Sequence, residues 1–461
     1  MPQPATQKPC RAPIRFGSAL APTSVFALAV AVALGPSFTA SSLAQSPAAQ
    51  VASSAVASDL PPLTLAQALA LAMASNPDLA VQARELQAAQ GPVVQAGARP
   101  NPELAVLLED TRRASRTTTV QINQPLELGG KRAARISAAE HGRDIAAADL
   151  ATKRADVRAA VTSMFFEVLL TQEHLALAQA SVGLAQRASE GATRRVQAGK
   201  ISPVEQTKAQ IALASSQLDA AQTAAALTLA RQRLSATWGS AASRYGVVTQ
   251  VGAGFDQPAV LTPEAMARRI DASPVLMRAR IEVLRREAIS ELARAQRVPD
   301  LTLSLGVKRD EQMGRNQAVI GMSLPLPVFD RNEGNLLEAL RREDKARDEL
   351  RAADIALRTS VMQGTVRLVA SNAAVQMIRD QILPGAQSAY EAATRGFELG
   401  KFNFLDVLDA QRTLFQAQSA HLRARGDALR AAVELDRLLG GTESAAAPAT
   451  APTTAPIQTQ E

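Results

Sequence analysis

A chain of 461 residues with 3% aromatic residues, one Trp and two Tyr is too poor in interfacial aromatics for a single-chain membrane β-barrel, and it offers little on which a nucleic-acid base could stack. Its net charge of +7 comes from Lys and Arg interspersed with Asp and Glu along helical stretches, the mark of solvated helix faces and not of a nucleic-acid surface. The single cysteine, Cys10, excludes a disulfide framework and a thiolate metal site.

Residues 1–44 read as an export signal. Lys8, Arg11 and Arg15 form a basic start, Val25 to Leu34 an apolar run, and Ser42-Leu43-Ala44 the small residues of a cleavage site before Gln45. Gly17, Pro22 and Pro36 keep the run shorter than the roughly 18 to 20 apolar residues of an anchor. Cys10 precedes that run, so a lipid anchor has no attachment point, and residues 45–62 form a linker.

From residue 63 to 439 the chain contains the same plan twice. Gly199-Lys200 is matched by Gly400-Lys401 at an offset of 201, Pro77 by Pro274 and Pro102 by Pro299 at 197, and Pro125-Leu126 by Pro325-Leu326 at 200. The drift fits a small insertion between 102 and 125, where a hairpin turn belongs. A period near 200 is too long for a solenoid repeat, so each copy, 63–238 and 263–439, is a half-molecule. Residues 239–262, rich in Gly, Ser, Ala and Pro, connect them.

Each half is expected to read helix, β-hairpin, very long helix, tight turn, helix. In the first, Leu104, Val106 and Leu108 share one strand face with Val120 and Ile122. No proline falls between Pro125 and Pro203, so helix formers from Lys131 to Ala198 make one rod of about 100 Å. In the second half Leu301, Leu303, Leu305 and Val307 alternate along a strand from Asp300 to Lys308, and its partner runs from Gln317 to Leu324. Four strands of this length can cross a bilayer but cannot close a barrel alone, and open edges cannot face lipid. Membrane strands would force several chains to share one barrel; the other reading is a pair of soluble hairpins.

Gly199 and Gly400 stand where a left-handed residue should end the long helices. Ser202-Pro203-Val204-Glu205 reads as a capping box opening the next helix, and Asn403-Phe404-Leu405-Asp406 is its counterpart. Heptad seams follow: Val204, Ile211 and Leu218, with Thr207, Ala214 and Ala221 between them, then Leu408, Phe415, Leu422 and Leu429. The simplest role for these seams is to zip each hairpin together. After Gly440-Gly441 the tail, 440–461, is Ala, Pro and Thr and reads as disordered.

From Leu63-Thr64-Leu65-Ala66-Gln67-Ala68-Leu69 through Asn76-Pro77-Asp78-Leu79 to Leu439 the chain resembles the TolC-like outer-membrane efflux family. The duplicated glycine tips and Leu405-Asp406-Val407-Leu408-Asp409-Ala410 carry most of that resemblance. Gln124-Pro125-Leu126-Glu127-Leu128-Gly129-Gly130-Lys131-Arg132 is similar to the branch serving cobalt-zinc-cadmium resistance. The resemblance implies a mainly α protein whose long helical hairpins form an α-barrel. Four strands per chain would join a shared twelve-stranded trimeric β-barrel in outer-membrane lipid. It also implies a homotrimer working with a periplasmic adaptor and an inner-membrane RND-type pump as the exit duct for heavy-metal cations. Asp406 and Asp409 match the acidic periplasmic gate, and Gly199, Lys200, Gly400 and Lys401 the adaptor-docking tips. The family's tip network uses an aromatic hydroxyl and an arginine where this chain has Phe397 and Phe402, so a polar latch would have to be rebuilt from Lys401 and Glu205.

His141, His174 and His421 are the only histidines and are not paired at metal-ligand spacing. Gly129-Gly130-Lys131-Arg132 lacks phosphate-loop spacing. Neither an enzyme nor a cofactor site is expected. The alternatives are the same channel serving drug efflux or type I protein secretion, and a soluble periplasmic coiled-coil adaptor.

Overall fold

The computed structural model describes residues 61–249 and 258–441. The export signal, nearly all of the linker and of the tail, and part of the connector lie outside the described residues. The first half opens with α1 (Leu65–Ser75), α2 (Pro77–Ala88) and α3 (Gln90–Gly97), continues through β1 (Glu103–Glu109) and β2 (Thr117–Leu126), and ends with α4 (Lys131–Gln197) and α5 (Pro203–Ala236). The second repeats this as α6 (Pro263–Asp271), α7 (Pro274–Ala295), β3 (Leu301–Asp310), β4 (Arg315–Ser323), α8 (Glu333–Met377), a π turn (Ile378–Ile382), α9 (Leu383–Glu398) and α10 (Phe404–Leu438).

The expected rod is present: α4 runs 67 residues without interruption, about 100 Å. Its counterpart is broken. Pro384 lacks an N–H, and its ring would collide with the carbonyl of Asp380 four residues back. The helix widens into a π turn just ahead of it, where the Leu383 N–H reaches the Ile378 carbonyl. The opening helix of each half is broken too, at an X-Pro step. Asn76 ends α1 and caps α2 with its side chain, 2.9 Å from the Leu79 N–H, and Ser273 caps α7 ahead of Pro274.

The rods form a layer. Near the tips the order is α5, α4, α10, α9, and at the other end α7 lies between α4 and α8. Val161, Phe165, Val168 and Leu169 of α4 pack on Leu227 and Leu234 of α5 and on the α1 alanines. A second cluster joins Leu276, Leu357, Val361, Leu368 and Leu435. The α10 seam does not zip its own hairpin as expected: Leu408 joins the cluster of Ala192 and Ala209, and Leu429 that of Val161 and Leu227, while α10 meets α9 through Leu414 and Ala417. The α5 seam does not zip its own hairpin: Val204, Ile211 and Leu218 are exposed, and α5 meets α4 through Ala209, Leu227, Ala230 and Leu234 instead.

The four strands form one antiparallel sheet in the order β1-β2-β3-β4. Leu104 lies opposite Ile122, Ile122 opposite Leu305, and Leu305 opposite Ile320, so one face is apolar across all four strands. That face is open, with Leu305 65% and Ile320 83% exposed. The other face carries Thr119, Gln121, Thr302, Ser304 and Gly306. A Cβ at Gly306 would come within 2.5 Å of the Val120 carbonyl oxygen, so only glycine lets the strands approach there. β1 and β4 are unpaired edges. The drift in the repeat lies in the second hairpin and not in the first, since Pro299 to Pro325 is longer than Pro102 to Pro125; β3 is longer than β1, but the turn after it is shorter by as much.

The corner between sheet and rods is built by the phrase from Gln124 to Arg132. Asp300 accepts the Leu128 N–H at 3.1 Å and the Lys131 Nζ at 2.7 Å. Arg135 grips Glu127 and donates to the carbonyls of Ala96 and Ala98, while Arg132 donates to that of Gly97. These carbonyls end α3 and would otherwise lack partners. Gly129 has φ +71°, and a Cβ there would lie 2.8 Å from Val298.

The Arg135 hydrogen bond holds Glu127 below the usual carboxylate range. Burial pushes Asp300 up, but Lys131 and the Leu128 N–H outweigh it, so it too is lowered. A depressed folded pKa contributes stability above the unfolded value of about 4, lost as pH falls through the folded one. Glu127→Gln is therefore expected to lose about 2 kcal/mol at neutral pH. That deficit should shrink as pH falls below the ordinary carboxylate range and through the lowered folded pKa, as read from thermal melts followed by circular dichroism.

Candidate functional site: the paired hairpin tips

Each long helix ends in the same backbone device. Gly199 has φ +67° and Gly400 φ +71°. The Lys200 N–H reaches back to the Arg195 carbonyl at 2.9 Å, and the Lys401 N–H to that of Gly396 at 2.8 Å. These bonds satisfy carbonyls that a helix end leaves open, and they turn the chain within a few residues.

The restarts differ. Asn403 and Asp406 form a full capping box, Asp406 N–H to Asn403 Oδ1 at 3.0 Å and Asn403 N–H to Asp406 Oδ2 at 3.1 Å. At the first tip the expected box is incomplete: Ser202 Oγ accepts the Val204 N–H, and the Glu205 N–H goes to the Ser202 carbonyl. Pro203, at the first helical position, already supplies the needed φ and has no N–H to satisfy.

The structure brings the two tips into contact through aromatics. The Arg195 guanidinium lies 3.8 Å from the ring centroid of Phe397, within cation–π range. Phe397 also joins Ala192, Ile201, Ala209 and Leu408 in a small apolar cluster. Phe402 lies across Gly396, where a Cβ would fall 2.1 Å from the ring. Lys401 and Glu205 form no ion pair with each other among the described residues. The tip network thus includes Arg195, which the sequence offers only as a basic residue in the last helical turn, ordinarily explained by the helix dipole.

The two aspartates have different surroundings. Asp406 spends one carboxylate oxygen on its own cap. Asp409, one turn further along α10, has no side-chain hydrogen bond or ion pair among the described residues. It borders a groove of about 680 Å³ between α4, α5 and α10, shared with Lys208, Asp219, Arg412 and Phe415. Among the described residues no cluster of three or more His, Asp or Glu could hold a metal ion, and no helix is long and apolar enough to cross a membrane.

Comparison with known proteins places this geometry. The chain matches the family described as outer membrane efflux protein over residues 68–240 and 267–441, one match per half. It is 48% identical over 380 residues to the cobalt-zinc-cadmium resistance protein CzcC of Cupriavidus metallidurans, covering 82% of this chain and 90% of that one. It is 26% identical to the pyoverdine export outer membrane protein OpmQ of Pseudomonas putida, covering 83% and 87%. Among solved structures, the outer membrane protein VceC of Vibrio cholerae superimposes with a TM-score of 0.69 at 20% identity, over 82% of this chain and 96% of that one.

A Cβ at Gly199 or Gly400 would meet open space, so substitution there costs backbone strain alone, about 1–2 kcal/mol for a left-handed residue. Gly199→Val and Gly400→Val are expected to lose hydrogen-exchange protection in the last turn before each tip, with the α1–α4–α5 core unchanged. Gly396→Ala should instead displace Phe402 and loosen the second tip only.

Proposed function

The chain belongs to the outer membrane efflux protein family, and from that premise we propose that this outer-membrane channel is the exit duct of a tripartite efflux system for heavy-metal cations. Its place is the outer membrane, with the helical rods extending into the periplasm. The observation that carries the cargo is the 48% identity, over most of both chains, to a cobalt-zinc-cadmium resistance protein. The soluble-adaptor alternative has no support in a family of channels. The pyoverdine exporter at 26% identity keeps the same duct open to other cargo in more distant relatives.

The working unit in this reading is a homotrimer. The sheet has an apolar outer face, a polar and small-residue inner face and two unpaired edges. Three copies joined edge to edge give a closed barrel of twelve strands, which removes the edges that lipid forbids. β4 runs opposite to β1, so the β4 of one copy can pair with the β1 of the next. The tips Gly199-Lys200 and Gly400-Lys401 form the docking end for a periplasmic adaptor, which links the duct to an inner-membrane RND-type pump. Three copies of Asp406 and Asp409 bring acidic rings to the narrow end, where closely spaced carboxylates concentrate cations. Asp409, with no competing partner, carries more of that effect than Asp406.

Cells lacking the gene are expected to accumulate zinc, cobalt and cadmium, and to export them again once the full chain is restored. Normal metal content together with lost export of organic compounds would assign the duct to other cargo. Single-channel recordings should show weaker cation preference in the double variant Asp406→Asn with Asp409→Asn. The change should be larger at 0.01 M salt, where the Debye length is about 30 Å, than at physiological strength, where it is about 8 Å. Asp409→Asn alone should account for most of it.

A further inference from the structure

The sheet ends in two hairpin turns on the side away from the rods. Because the rods extend into the periplasm, those turns emerge at the outer surface of the membrane. Charge gathers there. The β1–β2 turn carries Arg112, Arg113 and Arg116, and the β3–β4 turn is flanked by Lys308, Arg309 and Arg315. The carboxylates at these ends are already engaged. Glu109 pairs with Lys308 at 3.5 Å and Glu311 with Arg309 at 2.9 Å. Asp110 accepts the Ser115 hydroxyl at 2.6 Å and the Arg112 N–H at 3.0 Å. Asp310 accepts the N–H groups of Gln312 and Met313, so both aspartates are spent on closing their turns. Among the described residues, the side chains of Arg112, Arg113 and Arg116 have no hydrogen bond or ion pair.

The register sorts these charges by face. Lys308 and Asp310 alternate with Val307 and Arg309, so they lie on the polar, inner face of the sheet. There Glu109 meets Lys308, and Arg315 stands directly across from Asp310, so opposite charges are matched. Arg309 is paired with Thr118, itself across from Leu108, and so continues the outward ladder of Leu305 and Val307. Arg116, two residues before Thr118, falls on the same outward side by alternation, and its carbonyl accepts the Glu311 N–H at 3.1 Å. The Arg116 Nε is withdrawn from water and has no acceptor, a costly state for a guanidinium nitrogen. The uncompensated cations therefore lie on the turns and the outward side, just beyond the last apolar residues, and not along the inner path of the cargo.

We propose that the outer hairpin ends form a phosphate-binding rim for lipid headgroups of the outer leaflet, with Arg112, Arg113, Arg116 and Arg309 as its donors. The rim depends on the family's outer-membrane place, and on neither the cargo nor the number of copies. Its partner is selected by three features. A lipid presents an apolar tail joined to an anionic head, and Arg309 lies about 7 Å along the strand from the exposed Val307. Every donor is an arginine, whose planar fork takes two phosphate oxygens at once where a lysine offers a point charge. The orphaned Arg116 Nε, finally, is a donor that water does not reach and that this chain does not satisfy. A small free anion would meet the guanidinium groups but leave the apolar ladder beside them uncovered.

The test uses the full chain purified in neutral detergent, with lipid A as the phosphorylated probe and native mass spectrometry as the readout. The unaltered channel is expected to retain lipid A. The variant combining Arg112→Gln, Arg113→Gln, Arg116→Gln and Arg309→Gln should hold it about tenfold more weakly, the loss expected when charge-assisted hydrogen bonds are removed. Lipid A stripped of its phosphates should bind the unaltered channel no better than that. Arg112→Gln with Arg113→Gln alters only exposed turn side chains, so it reports on the rim even where the fourfold variant fails to assemble, and it should still weaken binding. Inorganic phosphate at millimolar concentration should not displace the lipid, because it has no apolar part to lie on the ladder. Undiminished retention in the Gln variants, or equal retention of the dephosphorylated lipid, overturns the rim. Displacement by inorganic phosphate overturns the lipid as its occupant and makes the rim a free-anion site.

Discussion

A helix of 67 residues cannot be wrapped by the rest of its own chain. A rod about 100 Å long offers lateral surface all along its length, and that surface must be covered by other rods lying beside it. Everything else follows from this constraint. α5 and α10 return along α4, α7 fills the other end, and the layer that results has two flanks with nothing against them. The four-stranded sheet has the same defect in another form, two rows of unpaired backbone groups. One chain therefore lacks both the apolar cover and the hydrogen-bond partners that its own elements require.

The junction of the two parts is polar and short-ranged. Lys131, Arg132 and Arg135 begin α4, where cations oppose the helix dipole, yet they are retained because each has a partner at the corner: Asp300, the α3 carbonyls, and Glu127. A corner held by directed hydrogen bonds fixes the angle between sheet and rods more sharply than apolar contact would. The phrase that first marked a resemblance to metal-resistance proteins thus has a structural task here.

Much of this was legible in the sequence because it rests on local rules. Gly199 and Gly400 mark left-handed ends, the spacing of prolines delimits α4, and alternation along Leu301 to Val307 identifies a strand and its apolar face. What was not legible depends on which neighbour a residue meets. The heptad of Val204, Ile211 and Leu218 announces a seam, but periodicity is silent on whether the partner is the same hairpin or another molecule. Arg195 shows no sign of its aromatic partner, since Phe397 lies two hundred positions away in a different hairpin. The break before Pro384 was visible as a proline, but its resolution as a π turn was not, because a proline can equally kink or end a helix.

The two hairpins also differ in mechanical character. α4 is an unbroken hydrogen-bonded rod from corner to tip, so a push at its tip reaches the corner with little loss. The second hairpin contains, about 25 Å above its tip, a turn whose ladder is already widened and whose proline supplies no bond. Bending there breaks fewer hydrogen bonds than bending anywhere along α4. The molecule thus pairs an unbroken long helix with an interrupted one, and beside the interruption α10 runs on unbroken from Phe404 to Leu438.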